Sequence, residues 1–107
     1  MPVLAVADLF GIAGRREELL ARLSAARADG AERYTYAEVL GDPDHFLLVG
    51  EWTDQTAMDA HYASAAFAEF QRGLDGLLAR PTELNVHVVS ATVRPVDSGP
   101  MDPRDAD

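Results

Sequence analysis

Val3, Ala5, Ala7 and Leu9 alternate with Leu4, Val6, Asp8 and Phe10 at the start of the chain. That period of two predicts a strand over Val3 to Phe10, and because both rows are largely apolar, both of its faces are expected to be covered. After Gly11 to Gly14 the period lengthens. Leu19, Leu23 and Ala26 recur at helical spacing with Leu20 beside them, which predicts a helix over Arg15 to Ala28. Glu17 and Glu18 in its first turn and Arg27 in its last suit the helix dipole, and Asp29-Gly30 ends it. Ala31 to Leu40 is rich in strand formers and reads as a second strand, with Tyr34, Tyr36 and Glu38 on one face. The turn Gly41-Asp42-Pro43-Asp44 joins it to a third strand, His45 to Trp52, so the two form an antiparallel hairpin. Phe46, Leu48, Gly50 and Trp52 then point one way, and Leu47, Val49 and Glu51 the other.

The stretch from Glu51 to Phe70 concentrates the large side chains. It holds the only Trp, one of three His and two of four Phe. Thr53 or Asp54 is expected to cap a helix that runs to about Leu78 and is broken at Ser64. Its first part carries Met58, His61 and Tyr62; its second carries Phe67, Phe70, Leu74, Leu77 and Leu78. Gly73 and Gly76 weaken its end, and Arg80-Pro81 stops it. Leu84 to Val93 reads as a fourth strand, apolar on both faces. The resulting order, βαββαβ, predicts an α+β, ferredoxin-like domain over residues 1–94, in which helices cover one face of a four-stranded antiparallel sheet. Its other face would be left as an apolar patch, which predicts a homodimer packed sheet against sheet. Pro95 to Asp107 has no periodicity and is expected to be an acidic, Pro-rich, flexible tail.

Composition narrows the function classes. Nine Lys and Arg stand against 18 Asp and Glu in 107 residues, a net charge of −9. Nucleic acid and anionic membrane surfaces both select for the opposite sign, so neither is an expected partner. Cysteine is absent, which removes disulfides, thiolate catalysis and Cys-ligated metals. The N-terminus has no basic region and meets Asp8 too early for a signal peptide, and no apolar run approaches the roughly 20 residues of a membrane span. A cytoplasmic protein is expected. There is no His-x-His, no His-Glu-x-x-His, no Gly-x-Gly-x-x-Gly and no phosphate loop, so no cofactor or metal is expected.

What remains is an aromatic and titratable set of the kind that lines a small-molecule pocket. Trp52 can stack on a planar ring; its competing role is a core Trp at a strand end. His61 titrates near neutrality and can orient a hydroxyl or take its proton; its competing role is a helix-face His bonded to backbone or to an acid such as Glu51. Tyr34, Tyr36 and Tyr62 can donate to a ligand oxygen or serve as half-buried packing. Phe67 and Phe70 at i, i+3 can wall a cavity or fill a core. His87, in the middle of the fourth strand, can face the pocket or a dimer interface. His45, beside Asp44 in a turn, is expected to be exposed. Glu51 points opposite to Trp52 and is not expected to share its site.

Taken in order, Phe46-Leu47-Leu48-Val49-Gly50-Glu51-Trp52, Met58-Asp59-Ala60-His61, Ser64, Phe67, Phe70 and Leu77-Leu78 resemble the antibiotic biosynthesis monooxygenase domain family over about residues 3 to 93. Two features depart from it. The first helix is about a turn shorter, and Gly30-Ala31 stands where Gly-Cys commonly starts the second strand. The resemblance implies a dimeric α/β barrel. It also implies a cofactor-independent monooxygenase that oxidises a phenolic, anthrone or quinol-type molecule to a quinone with O2, with His61 and Trp52 as catalytic residues and Tyr34, Tyr36, Tyr62, Phe67, Phe70 and His87 around the substrate. A non-catalytic binding module, or an isomerase or cyclase on a polyketide-like substrate, is the alternative. Haem-degrading relatives carry an iron-ligating His late in the second helix; Glu69-Phe70-Gln71-Arg72 occupies that region here, which disfavours haem.

Overall fold

The computed structural model describes residues 1–95. Seven elements follow one another: β1 (Val3–Phe10), α1 (Arg16–Ala25), β2 (Arg33–Glu38), β3 (His45–Trp52), α2 (Gln55–Tyr62), α3 (Ala65–Gly73) and β4 (Glu83–Val88). The strands form one antiparallel sheet in the order β2-β3-β1-β4. This is the ferredoxin-like arrangement, with the second helix divided in two. The expected tail, apart from Pro95, lies outside the described residues.

Register decides which side chains face the helices. Val3 opposes Trp52, Ala5 opposes Gly50, Ala7 opposes Leu48 and Leu9 opposes Phe46. Tyr34 opposes Gly50 and Tyr36 opposes Leu48 across the hairpin. On β4, Leu84, Val86 and Val88 sit opposite Ala7, Ala5 and Val3 and so share the helix-side face. Two clusters form the core on that face. One joins Leu9, Phe46 and Leu48 to Leu19 and Leu23 of α1 and to Leu74; the other joins Val3, Ala5 and Trp52 to Met58 of α2. Leu19 and Leu23 are the helical stripe that the sequence marks, and both are buried. Arg16 fastens α1 to the hairpin through Glu38 and the Pro43 carbonyl and lies 5.1 Å over the Phe46 ring.

The central strands keep their expected bounds, and the edge strands are shorter than expected. β4 ends at Val88 because β1 begins at Val3; one further bond, from the Val89 N–H to the Pro2 carbonyl, closes the ladder. Leu84, Val86 and Val88 are 47%, 43% and 58% exposed, since no helix reaches that edge. The opposite face carries Leu4, Val6, Leu47 and Val49, all half-buried, with Arg33 and Glu51 forming an ion pair 3.4 Å apart beside them. His45, expected to be exposed, is instead half-buried. Its Nε2 lies 2.7 Å from Asp8 Oδ1 on the neighbouring strand and its ring lies 4.6 Å from that of Phe10. Cross-strand pairing of β1 with β3 brings these residues side by side, which neighbours in sequence do not reveal.

Candidate functional site

The site begins with a capping problem. A helix leaves its first N–H groups without partners, and a side-chain oxygen at the cap can accept one of them. Asp54 does so for α2, accepting from Ala57 N–H at 2.9 Å. Ser64 does so for α3, accepting from Phe67 N–H at 3.1 Å, while its hydroxyl donates to the His61 carbonyl at 2.6 Å. One hydroxyl therefore fixes the angle between the two helices and the positions of His61 and Phe67. Ser64→Ala is expected to cost about 1 kcal/mol of stability, measured by urea denaturation. Tyr62 and Phe67, now held from one side only, should also broaden in NMR spectra. Unchanged stability and line widths would remove Ser64 from this role.

The fixed angle packs five aromatic rings together. His61, 5% exposed, is enclosed by Tyr34, Trp52, Tyr62 and Phe67, with ring centroids 5.2, 5.3, 4.9 and 5.2 Å away. Tyr62 and Phe67 meet edge to face at 4.9 Å, and Phe70 continues the row at 6.2 Å. Edge-to-face contacts of this kind set ring edges against ring faces and fix orientation as well as area.

Between the two core clusters these rings leave a cavity of about 200 Å3. Ala7, Leu9, Leu48 and Gly50 form its sheet side; Tyr34, Tyr62, Phe67, Phe70 and Leu74 form its walls; Gln71, Thr82 and Leu84 are exposed and form its rim. No charged side chain lines it. Of the residues singled out from the sequence, Tyr34, Tyr62, Phe67 and Phe70 line the cavity. His61 and Trp52 lie one layer behind, His61 against three of the lining rings and Trp52 beneath Tyr34. Tyr36 shares the face of Tyr34 but is 39% exposed and is not part of the lining. His87 opposes Leu4 and belongs to the other face of the sheet. Gln71 and Thr82 were not singled out. Gln71 stands four residues after Phe67, so helical spacing marks it; nothing in the sequence marks Thr82.

Electrostatics follow from burial. Removal from water pushes the Tyr34 hydroxyl up to about 12, with the neighbouring Tyr62 adding to it, and pushes Tyr62 up as well. Both phenols therefore stay protonated at neutral pH and act as donors. Burial pushes His61 down, so it is a neutral imidazole there. Its Nε2 and the Nε1 of Trp52 are both buried without a hydrogen-bond partner. A buried polar atom left unpaired costs roughly 1–3 kcal/mol, so either nitrogen would gain from a polar group brought within reach. Among the described residues, no group of three or more His, Asp or Glu is placed to hold a metal ion.

The lowered His61 value predicts a pH dependence. Above its ordinary value of about 6.5 the ring is neutral whether the chain is folded or not, and its contribution is complete. As the pH falls through that value, the unfolded chain takes up a proton that the folded chain refuses, so stability drops, and the loss levels off below the depressed folded value. Unfolding free energies measured at about pH 7.5 and about pH 5 should differ less for His61→Phe than for wild type. An equal or larger difference would contradict a buried neutral His61.

The model of the antibiotic biosynthesis monooxygenase family matches residues 2–73, from β1 through the end of α3. The chain belongs to this family. An uncharacterised protein of Synechocystis is 24% identical over 96 residues, covering 85% of the chain, which spans 65% of that relative's length. Among solved structures, a candidate antibiotic biosynthesis monooxygenase from Deinococcus radiodurans superposes with a TM-score of 0.79 at 21% identity, covering 89% of this chain and 99% of its own. A Mycobacterium tuberculosis protein superposes with a TM-score of 0.72 at 24% identity, covering 94% and 100%. At such identities these structures establish the shared antibiotic biosynthesis monooxygenase fold and nothing finer. The matched segment ends before β4, so the cavity rim at Thr82 and Leu84 lies outside it. Among the described residues, no helix is long and apolar enough to cross a membrane.

Proposed function

We propose that this protein is a cofactor-independent monooxygenase that oxidises a phenolic, anthrone or quinol-type small molecule to a quinone with O2. One observation carries the proposal: a neutral His61 with an unpartnered Nε2 stands immediately behind the aromatic wall of an apolar, uncharged cavity. Such a cavity favours a planar aromatic ligand, and a ligand hydroxyl reaching between Tyr34 and Tyr62 would supply the partner that Nε2 lacks.

The chemistry balances without a further redox partner. His61 takes the proton of the substrate hydroxyl, leaving an electron-rich anion, which Tyr34 and Tyr62 stabilise by donating hydrogen bonds. The anion passes one electron to O2, and the radical pair joins to form a carbon–oxygen bond. The resulting peroxide breaks its O–O bond; one oxygen stays as the new carbonyl, and the other leaves as water with two substrate hydrogens. The protein's part is to bind, exclude water and stabilise the anion.

Oxygen uptake in the presence of model hydroquinones and anthrones, with metal chelated and flavin absent, tests this. Uptake well above the buffer rate is expected, and none across a broad panel would overturn it. The second reading is a module that binds an aromatic metabolite without turning it over. It is favoured by the position of His61 behind the cavity wall instead of in it, and it predicts saturable binding with no oxygen uptake.

The half-buried row Leu4, Val6, Leu47 and Val49 supports a homodimer closed through the open sheet face, and members of this family are commonly dimeric. Val49 stands between Val6 and Thr35 near the middle of that face. Val49→Lys is expected to shift the protein from dimer to monomer in sedimentation velocity, because burying an ammonium in an apolar interface costs several kcal/mol of hydration, and the neighbouring Glu51 carboxylate is already paired with Arg33. A monomeric wild type would overturn the dimer.

A further inference from the structure

The depth of the cavity has an identifiable cause. Gly50 is buried on the sheet side, and a Cβ built there would lie 2.3 Å from Cη2 and 2.5 Å from Cζ3 of Trp52, and 3.2 Å from Cδ1 of Tyr34. Contacts under 3 Å are not tolerated, so the indole occupies the space that any other side chain at position 50 would need. Trp52 is thus folded back over its own strand beneath Tyr34, with ring centroids 6.2 Å apart, and backs the cavity one layer behind Gly50 and Tyr34, which line it. The Gly50–Trp52 pair acts as a stop. Phe67 and Phe70 wall the cavity from α3, and the space left is about 200 Å3.

That volume limits the size of the ligand. An apolar cavity of about 150 Å3 is known to hold one benzene ring, and pockets for drug-sized ligands run from about 300 Å3 upward. We infer that the site, read as above as an aromatic-ligand site, is built for a phenol of one or two fused rings, and that the Gly50–Trp52 stop excludes three; anthrones, which have three, are then excluded, and the reading above narrows to its phenolic and quinol classes. Without a stop the order would be reversed, because each added ring buries more apolar area and binds more tightly, at roughly 25 cal/mol per Å2.

Calorimetric titration of the full chain with phenol, 1-naphthol and 9-phenanthrol tests this without needing turnover. 1-Naphthol should bind at least about tenfold more tightly than 9-phenanthrol. Trp52→Leu, which shortens the stop, and Phe70→Ala, which opens the wall, should each bring 9-phenanthrol to at least parity; Phe70 is only partly buried, so its variant keeps the test alive if Trp52→Leu does not fold. Equal or tighter binding of 9-phenanthrol by the wild type overturns the size limit. No binding of phenol or 1-naphthol overturns both the limit and the site. Selective 1-naphthol binding, in a protein that consumes no oxygen with any substrate, supports the limit and overturns the oxygenase reading alone.

Discussion

His61→Phe is expected to lower oxygen-consuming turnover by about 10²–10⁴-fold, the range lost when a positioned acid–base group is removed. Phe is the informative replacement because His61 sits inside a cage of four rings. A phenyl ring keeps those contacts and removes only the nitrogens, so the fold and the cavity wall should survive. Affinity for an unreactive phenol should then change by no more than about threefold, since the lost interaction matters chiefly once the hydroxyl ionises. Oxygen uptake at saturating substrate and calorimetric affinity are the two measurements needed. A variant with wild-type turnover would remove His61 from the chemistry. A variant that loses affinity and turnover equally would make His61 part of the ligand's binding wall. The same substitution removes the acid-side loss of stability derived above, so one variant reports both burial and chemistry.

Much of this arrangement is legible in the chain, and the limits are physical. β1 and β3 have the bounds that alternation predicts because both are central and paired on two sides, so pattern and pairing agree. β2 and β4 lose residues at their ends because an edge strand extends only as far as its single neighbour supports it. Ser64 is readable as a cap because the serine stands immediately before a helical run with phenylalanines three residues apart. Tyr34 and Tyr36 look equivalent, since both lie on the helix-side face. Only the packing of α2 and α3 over Tyr34 separates the lining tyrosine from the exposed one. His87 is the instructive case. Alternation puts it opposite Leu84, Val86 and Val88, but which row faces the cavity is set by the pairing of Val86 with Ala5, and that register is not local information. The dyad of His45 with Asp8 escaped for the same reason. Gly50 was not singled out, although a glycine inside a buried strand is a position that marks close approach of something bulky. The structure identifies that group as the indole two residues later.

Trp52→Ala is expected to cost about 3–5 kcal/mol, a large part of the roughly 5–15 kcal/mol available to a domain of this size. Trp52 is 1% exposed and packs with Val3, Ala5 and Met58 as well as with the rings of Tyr34, His61 and Tyr62. Its removal leaves a void directly over Gly50, which has no side chain of its own to fill it. Urea denaturation followed by far-ultraviolet circular dichroism measures the effect; fluorescence cannot, because this is the only Trp. Trp52→Phe separates packing from hydrogen bonding. The indole Nε1 has no partner, so Phe breaks no hydrogen bond and should cost clearly less than Ala. If both variants lose the same amount, the nitrogen has a partner in solution, such as a bound water shared with His61, and the chemistry behind the cavity wall includes that water. A cost below about 1 kcal/mol for Trp52→Ala would mean the stop is not packed as described, and the size limit on the ligand would go with it.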